Sequence, residues 1–193
     1  MTQPSALPMD LREYIAVFSG ALEPETCAAL LADCARSRWW NTATVGTGRV
    51  RTGTRNCDTL GISSPHFIKD KPEIRIPMAR TLDRTAQQIL VAYKERFPAI
   101  HTLKTAPFEL LRYHPGGFYK HHVDHSDSNP RAVTLLIQIN DDFEGGTLSF
   151  FNGQFELRLR QGDALLFPSS FMFPHAVRPV TSGVRYTLVS WIL

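Results

Sequence analysis

The stretch AVTLLIQINDDFEGGTLSFFNGQFELRLRQGDALLFP, residues 132–168, indicates a β-rich fold. Short runs rich in leucine, aromatic and β-branched residues are separated by turn signals such as Gly-Gly and Asn-Gly. Asn152-Gly153 between two alternating runs predicts a two-residue hairpin. Similar runs continue on both sides, and we predict strands in PFELLRY, YKHHVD, AVTLLIQIN, TLSFF, QFELRL, DALLFP, HAVRPV and RYTLVSWIL. So many short strands favour an antiparallel sandwich or barrel.

The first half of the chain has a different pattern. Residues 12–18 resemble a short strand, and residues 22–40 and 77–97 predict two helices, the second with apolar residues spaced three and four apart. Residues 41–61 are rich in glycine and threonine and predict a loop or an irregular hairpin. We therefore expect a mainly β (α+β) protein in which N-terminal helices support one face of a sheet.

Length and composition narrow the class of protein. A chain of 193 residues suits a single domain, 1–193, divided into a helical and substrate-loop region, 1–105, and a β core, 106–193. The formal net charge of +3 is no nucleic-acid signature. No apolar run is long enough to cross a membrane. Three cysteines without Cys-x-x-Cys spacing predict reduced thiols, and no signal peptide is evident, so we expect a cytoplasmic protein.

A histidine-rich stretch, RYHPGGFYKHHVDH at 112–125, admits three interpretations: a metal site, solvated surface histidines, or a hydrogen-bonded structural cluster. His122 and Asp124 are two apart, so in a strand both face the same side. His121 and His125 do not share that spacing with the aspartate. We expect them to be exposed to solvent or to contact the ligand residues without binding the metal. A third ligand has to come from another strand, and His175 is the one histidine downstream of the cluster.

Two histidines and one carboxylate form the arrangement found in non-haem Fe(II) oxygenases, which leaves coordination positions open. A 2-oxo acid with a second carboxylate needs a fixed cation for its far end. Arg185 follows His175 by ten residues and offers a two-pronged donor set for a carboxylate. Thr187 shares a strand face with Arg185 and can add a hydroxyl hydrogen bond.

These motifs carry a resemblance to a known family. The order Y-x-P-G-G-x-Y-x-x-H-x-D, EGGTLSF, GD-x-LLFP and H-x-V-x-PV-x-x-G-x-R-x-x-L-x-x-W resembles the Fe(II)/2-oxoglutarate-dependent dioxygenase superfamily, in particular its prolyl 4-hydroxylase-like branch. The resemblance covers roughly residues 106–193. It implies a double-stranded β-helix, a cupin-like jelly roll with the iron near one open end.

The resemblance also implies the chemistry and the residues. His122, Asp124 and His175 would bind Fe(II), Arg185 would bind the distal carboxylate of 2-oxoglutarate, and Tyr113 would hydrogen-bond that co-substrate. The cofactor and co-substrates would be Fe(2+), 2-oxoglutarate and O2, and the family allows ascorbate as an additional cofactor. The implied reaction is hydroxylation of an unactivated C–H bond with release of succinate and CO2. Prolyl hydroxylases of animals and plants commonly have lysine where Arg185 stands, which bears on the substrate and not on the cofactor chemistry.

The substrate is left open by the sequence. A prolyl or other amino-acid unit, peptidyl or free, is favoured; a nucleobase is the alternative within the family, and a non-catalytic jelly-roll module for ligand binding or sensing is the alternative outside it. Arg49, Arg51 and Arg55 in the 41–61 loop are candidate substrate contacts, against the interpretation of a solvated loop. Trp191 shares the face of Arg185 and is a further candidate. The oligomeric state is not predicted.

Overall fold

The computed structural model describes residues 10–46, 48–101 and 104–193. Three α-helices occur there: α1 (Pro24–Cys34), α2 (Pro65–Asp70) and α3 (Pro72–Arg96). Each begins with proline, whose fixed φ and missing N–H suit the first helical position. Short 3-10 helices lie at Leu11–Tyr14 and Phe151–Gly153. None of the described helices is long and apolar enough to span a bilayer.

The strands are mostly short and lie largely in the second half of the chain. They are β1 (Ala16–Phe18), β2 (Asn41–Thr42), β3 (Arg55–Asn56), β4 (Asp58–Gly61), β5 (Glu109–Tyr113), β6 (Phe118–His122), β7 (Val133–Gln138), β8 (Glu144–Gly145), β9 (Leu148–Phe150), β10 (Phe155–Leu157), β11 (Ala164–Pro168), β12 (His175–Val177), β13 (Val180–Ser182) and β14 (Arg185–Ile192).

Two antiparallel sheets form the body of the protein. The major sheet has the strand order β1-β11-β7-β14-β5-β4-β2, and the minor sheet has the order β10-β9-β12-β6-β3; β13 and β8 form a separate two-stranded ribbon. Apart from the β4–β5 and β9–β10 pairs, neighbouring strands are not consecutive along the chain, as in a jelly roll. The prediction of a mainly β jelly roll with N-terminal supporting helices is confirmed.

Two apolar layers cover the two faces of the major sheet. One lies between the sheet and the helices, where Leu135 and Ile137 of β7 meet Leu82 and Leu90 of α3. The other lies between the sheets and includes Leu136 of β7. Residues 135 and 137 therefore face the helices while residue 136 faces the minor sheet, as the alternation of a strand requires. β7 is buried along its whole length.

Three details differ from the predicted elements. The first helix ends at Cys34, not at residue 40, and the Trp40 indole N–H donates to the Cys34 carbonyl at 2.9 Å. The long helix begins at Pro72, with an exposed Pro77 inside it. The Asn152-Gly153 turn is a 3-10 turn within a four-residue connection, because Phe150 pairs with Phe155.

The segment 41–61 is more regular than a loop. It contributes β2 and β4 to the edge of the major sheet and β3 to the edge of the minor sheet. Arg55 of β3 pairs with Tyr119 of β6, and Thr59 of β4 pairs with Leu111 of β5. The segment thus bridges one side of the sandwich and brings its side chains next to the space between the sheets.

Candidate metal centre and its cavity

A cavity of about 310 Å³ lies between the two sheets. This volume is at the lower end of the range typical of small-molecule sites. Its walls come from the inward faces of β5, β7 and β14 in the major sheet and from the strands of the minor sheet that face them. The predicted residues that line it are Arg55, Tyr113, His122, Asp124, His175, Arg185, Thr187 and Trp191.

Three metal-capable side chains converge on this cavity. His122 at the end of β6 and His175 at the start of β12 are direct cross-strand partners, and Asp124 follows β6 by two residues. His122 Nε2 lies 3.5 Å from Asp124 Oδ1, and His175 Nε2 lies 3.6 Å from Asp124 Oδ2. One ligand atom from each residue lies within 4.8 Å of the other two.

Backbone carbonyls fix the direction in which both imidazoles face. His122 Nδ1 lies 2.8 Å from the Lys120 carbonyl oxygen, and His175 Nδ1 lies 3.1 Å from that of Phe173. A carbonyl only accepts, so each Nδ1 carries the proton and each neutral ring keeps its lone pair on Nε2. Orientation of metal-binding histidines by such hydrogen bonds is the usual arrangement.

Burial and charge hold His175 and Asp124 in their metal-binding protonation states. Burial lowers the pKa of His175 to about 4, although the neighbouring Asp124 opposes this shift. For Asp124, burial favours the protonated form, but His175, His122 and the Thr134 hydroxyl outweigh it and hold its pKa well below the usual range. A neutral imidazole beside an ionised carboxylate is what a divalent metal requires.

The Asp124 carboxylate is also hydrogen-bonded to the major sheet. The Thr134 hydroxyl of β7 donates to Asp124 Oδ2 at 2.7 Å, and the same hydroxyl lies 2.8 Å from Ser169 Oγ. Thr134 is fully buried. No metal-related pattern in the sequence singles out this threonine, because the hydrogen bond depends on the packing of the two sheets.

Arg185 lies in the same cavity as a buried cation. Its exposed fraction is 2%, and it pairs across the strands with Tyr113, whose ring centroid is 5.3 Å from the guanidinium carbon. Within the described part of the chain, no carboxylate lies within 4.0 Å of its nitrogens. Burial lowers the pKa of Arg185, yet a guanidinium remains charged in proteins. A buried cation without a counter-ion is costly, so an anionic ligand suits this position.

Tyr113 and Thr187, the two predicted co-substrate contacts beside Arg185, differ in what their hydroxyl groups can do. Burial raises the pKa of Tyr113 far above neutrality, so its phenol remains a proton donor. The Thr187 hydroxyl donates to Gln138 Oε1 at 3.0 Å and is engaged within the sheet. Both residues line the cavity.

The four candidate substrate contacts separate into two groups. Arg49 and Arg51 are exposed and do not line the cavity. Arg55 and Trp191 do line it. Arg55 lies over the Tyr119 ring at 4.8 Å and donates to the Thr44 carbonyl at 3.0 Å, so its direction is fixed by the fold.

Two charged residues and one aromatic residue of the cavity were not among the contacts predicted from the sequence. Arg131 lies over the Trp191 ring at 3.5 Å and donates to the Asp124 carbonyl at 3.3 Å. Glu109 lines the cavity from β5 and accepts a hydrogen bond from a β4 threonine. The Tyr119 ring stacks on His122 with centroids 3.5 Å apart. The available signal was strand parity, because residues 109, 111 and 113 share the inward face of β5.

The other histidines of the cluster do not join the three ligand candidates. His121 is exposed. His125 lines the rim of the cavity, where its Nδ1 lies 3.0 Å from the Arg131 carbonyl oxygen and 3.2 Å from the Arg131 amide nitrogen. His114 is exposed and lies 3.5 Å from Asp58.

Comparison with known proteins shows which family the second half of the chain matches. Residues 108–193 match the model of the 2OG-Fe(II) oxygenase superfamily. A PKHD-type hydroxylase of Stenotrophomonas maltophilia (strain R551-3) is 32% identical over 133 residues, which cover 61% of this chain and 58% of the relative. The PKHD-type hydroxylase YbiX of Escherichia coli is 27% identical, over 90% of this chain and 75% of that protein. The chain therefore spans less than two thirds of the length of several curated relatives that it matches.

Solved structures with the same fold include two prolyl hydroxylases. That of Trichoplax adhaerens, in complex with a hypoxia-inducible factor peptide fragment, gives a TM-score of 0.78 at 18% identity, covering 93% of this chain and 83% of the other. A Pseudomonas putida prolyl-4-hydroxylase gives a TM-score of 0.64 at 21% identity, covering 93% of this chain and 92% of the other. The cofactor and co-substrates that the family implies are Fe(II), 2-oxoglutarate and O2, and the donor set described above suits that metal. Residues 108–193 thus match the 2OG-Fe(II) oxygenase superfamily, curated relatives of the chain are PKHD-type hydroxylases, and its fold is prolyl 4-hydroxylase-like.

Proposed function

We propose that this protein is an Fe(II)- and 2-oxoglutarate-dependent dioxygenase that hydroxylates a C–H bond of a prolyl or other amino-acid unit. The observation that carries the proposal is the presence, in one cavity, of the two-histidine, one-carboxylate donor set and of a buried guanidinium without a counter-ion. The donor set would hold a metal and leave some of its coordination positions free. The guanidinium would pair with the distal carboxylate of the oxo acid.

Bound Fe(II) would supply the oxidation, in which 2-oxoglutarate and O2 would be converted to succinate and CO2 while one oxygen atom enters the substrate C–H bond. The chain's own residues bind and orient. His122, Asp124 and His175 would hold the metal through Nε2, a carboxylate oxygen and Nε2. Arg185 would pair with the distal carboxylate, and Tyr113 would donate its phenolic proton to the same co-substrate.

The test compares two adjacent histidines. Fe(II) and 2-oxoglutarate are added to the wild-type protein without O2, their binding is followed by calorimetry, and succinate release is then measured after O2 is admitted. We expect His122→Ala to lose metal binding and turnover, and His121→Ala, one residue away and exposed, to retain both. Equal metal binding by both variants would refute the ligand assignment. Metal and co-substrate binding without succinate release under any condition would favour the non-catalytic module.

A further inference from the structure

The cavity has a second polar end, away from Arg185. Along the inward faces of β5 and β14, Arg185 and Tyr113 form one cross-strand pair, and Val189 and Glu109 form another pair four residues along each strand. Trp191 continues this face beyond Val189. At about 3.3 Å per residue, the Glu109 end lies about 13 Å from the Arg185 end, which is longer than one small dicarboxylate occupies.

This second end carries two opposite charges that are not paired with each other. Glu109 is half-buried, and its Oε2 accepts a hydrogen bond from the Thr59 hydroxyl at 3.0 Å. Arg131 is half-buried beside the Trp191 ring, and burial lowers its pKa while the charges of Asp124 and Glu109 oppose this shift. Among the described residues, neither Glu109 nor Arg131 has an oppositely charged side chain within 4.0 Å.

The second end is also close to the donor set. Trp191 pairs with Thr134 across the strands, and the Thr134 hydroxyl contacts Asp124. Arg131 donates directly to the Asp124 backbone carbonyl. A molecule held between Glu109 and Arg131 therefore lies next to the metal ligands, on the side away from the guanidinium that suits 2-oxoglutarate.

We propose that Glu109 and Arg131 make this end of the cavity a binding site for a small zwitterion, so that the substrate is a free amino acid. Its ammonium group pairs with Glu109 and its carboxylate pairs with Arg131. A prolyl residue inside a peptide has neither charge and would leave the half-buried Glu109 carboxylate without a cationic partner, which opposes binding. The inference rests on the proposed function, because it assigns the substrate of that same site.

The test measures binding to protein loaded with Mn(II) and 2-oxoglutarate without O2. All proteinogenic L-amino acids are titrated by calorimetry, and those that bind are compared with their N-acetyl derivatives, their amides, and a tripeptide blocked at both ends with the same residue at its centre. We expect free amino acids to bind, and N-acetylation, which removes the positive charge, to weaken binding by at least about tenfold. We expect the amide to be weakened as well, because it lacks the carboxylate that pairs with Arg131.

Two variants then test whether the preference for the free amino acid depends on the Glu109 side chain. Glu109→Gln keeps the shape and the hydrogen-bonding oxygen but removes the charge, so the preference for the free over the N-acetylated form should disappear while 2-oxoglutarate binding is unchanged. Glu156→Gln is the matched control, since Glu156 also lies on a strand but pairs with Arg178 outside the cavity.

Three results would overturn the proposal: tighter binding of the blocked peptide than of the free amino acid, a preference that survives in Glu109→Gln, or no binding by any free amino acid although metal and 2-oxoglutarate bind. Failure of the wild-type protein to bind metal or 2-oxoglutarate is a different outcome. It refutes the proposed function, and the substrate assignment falls with it.

Discussion

Replacement of Arg185 by methionine should separate ligand binding from folding stability. The guanidinium is 2% exposed and has no carboxylate within ion-pair distance in the described part of the protein. Methionine has a similar length and is apolar, so it fills much of the space without the charge. The variant removes the cation that we assign to 2-oxoglutarate, and it also removes a desolvated charge that costs free energy when no anion is bound.

The expected magnitudes follow from that burial. Loss of one partner of a buried, hydrogen-bonded charge pair costs about 2–5 kcal/mol, and nearly complete burial places Arg185 in the upper part of this range. A loss of about 3–4 kcal/mol weakens 2-oxoglutarate binding by about two to three orders of magnitude. In the absence of ligand, the free energy of unfolding should rise by about 1–2 kcal/mol, because an unpaired buried charge has been removed.

The assay combines calorimetry of 2-oxoglutarate binding to Mn(II)-loaded protein with chemical denaturation of the metal-free protein. Arg112→Met is the matched control, because Arg112 lies on the partner strand but forms an ion pair of 2.9 Å with Asp58. This control should bind 2-oxoglutarate normally and be less stable than wild type. Unchanged 2-oxoglutarate affinity in Arg185→Met would refute the anchor, and a clear loss of stability there would refute the argument from desolvation.

Three further predictions concern the surroundings of the site and the helical layer. Thr134→Val removes the hydroxyl that holds the metal-site carboxylate and should weaken metal binding by about 10- to 100-fold in calorimetry, whereas Thr134→Ser should restore most of it. Gly146→Ala should cost about 1–3 kcal/mol in denaturation and weaken 2-oxoglutarate binding, because Gly146 has φ +62 and its new Cβ would lie 2.9 Å from Arg185 Cδ. Asp33→Asn should cost about 3–5 kcal/mol, because it leaves the buried Arg75 without the partner that lies 2.6 Å away. Burial opposes ionisation of Asp33, but its cationic partners hold its pKa below the ordinary 3.8. The stability that it contributes in wild type is therefore present above about pH 4 and decreases as the pH falls through its folded pKa, whereas Asp33→Asn should lack this dependence.

Much of the fold could be predicted from the sequence because strands and turns leave strong local patterns. The predicted runs correspond to β5, β6, β7, β9, β10, β11, β12 and β14. The elements that differ depend on contacts distant in sequence. Within residues 41–61, Asp58–Gly61 forms a strand because it pairs with β5, and Arg55–Asn56 forms one because it pairs with β6. The two tryptophans after Cys34 lie outside the helix, where Trp40 caps it and Trp39 donates to Asp70.

The candidate site divides in the same way. Local spacing and the order of motifs pointed to the two histidines, the aspartate and Arg185. The charged residues Glu109 and Arg131 could not be identified from local patterns, because their place in the site depends on residues of other strands that face the same cavity. Arg49 and Arg55 look alike in sequence, yet only Arg55 is held by β3 against the cavity. Glu109 had no nearby motif, and its place in the cavity follows from the inward face of β5.

The hydrogen bond from Thr134 to Asp124 joins the two layers of the sandwich at the metal-capable centre. All three donor residues lie on or next to strands of the minor sheet, but the orientation of one of them is set from the major sheet. The separation of the layers therefore sets the distances among the donor atoms. A bulkier side chain placed between the layers far from the centre would move the carboxylate away from the imidazoles, so the selectivity among divalent ions would change before the protein unfolds.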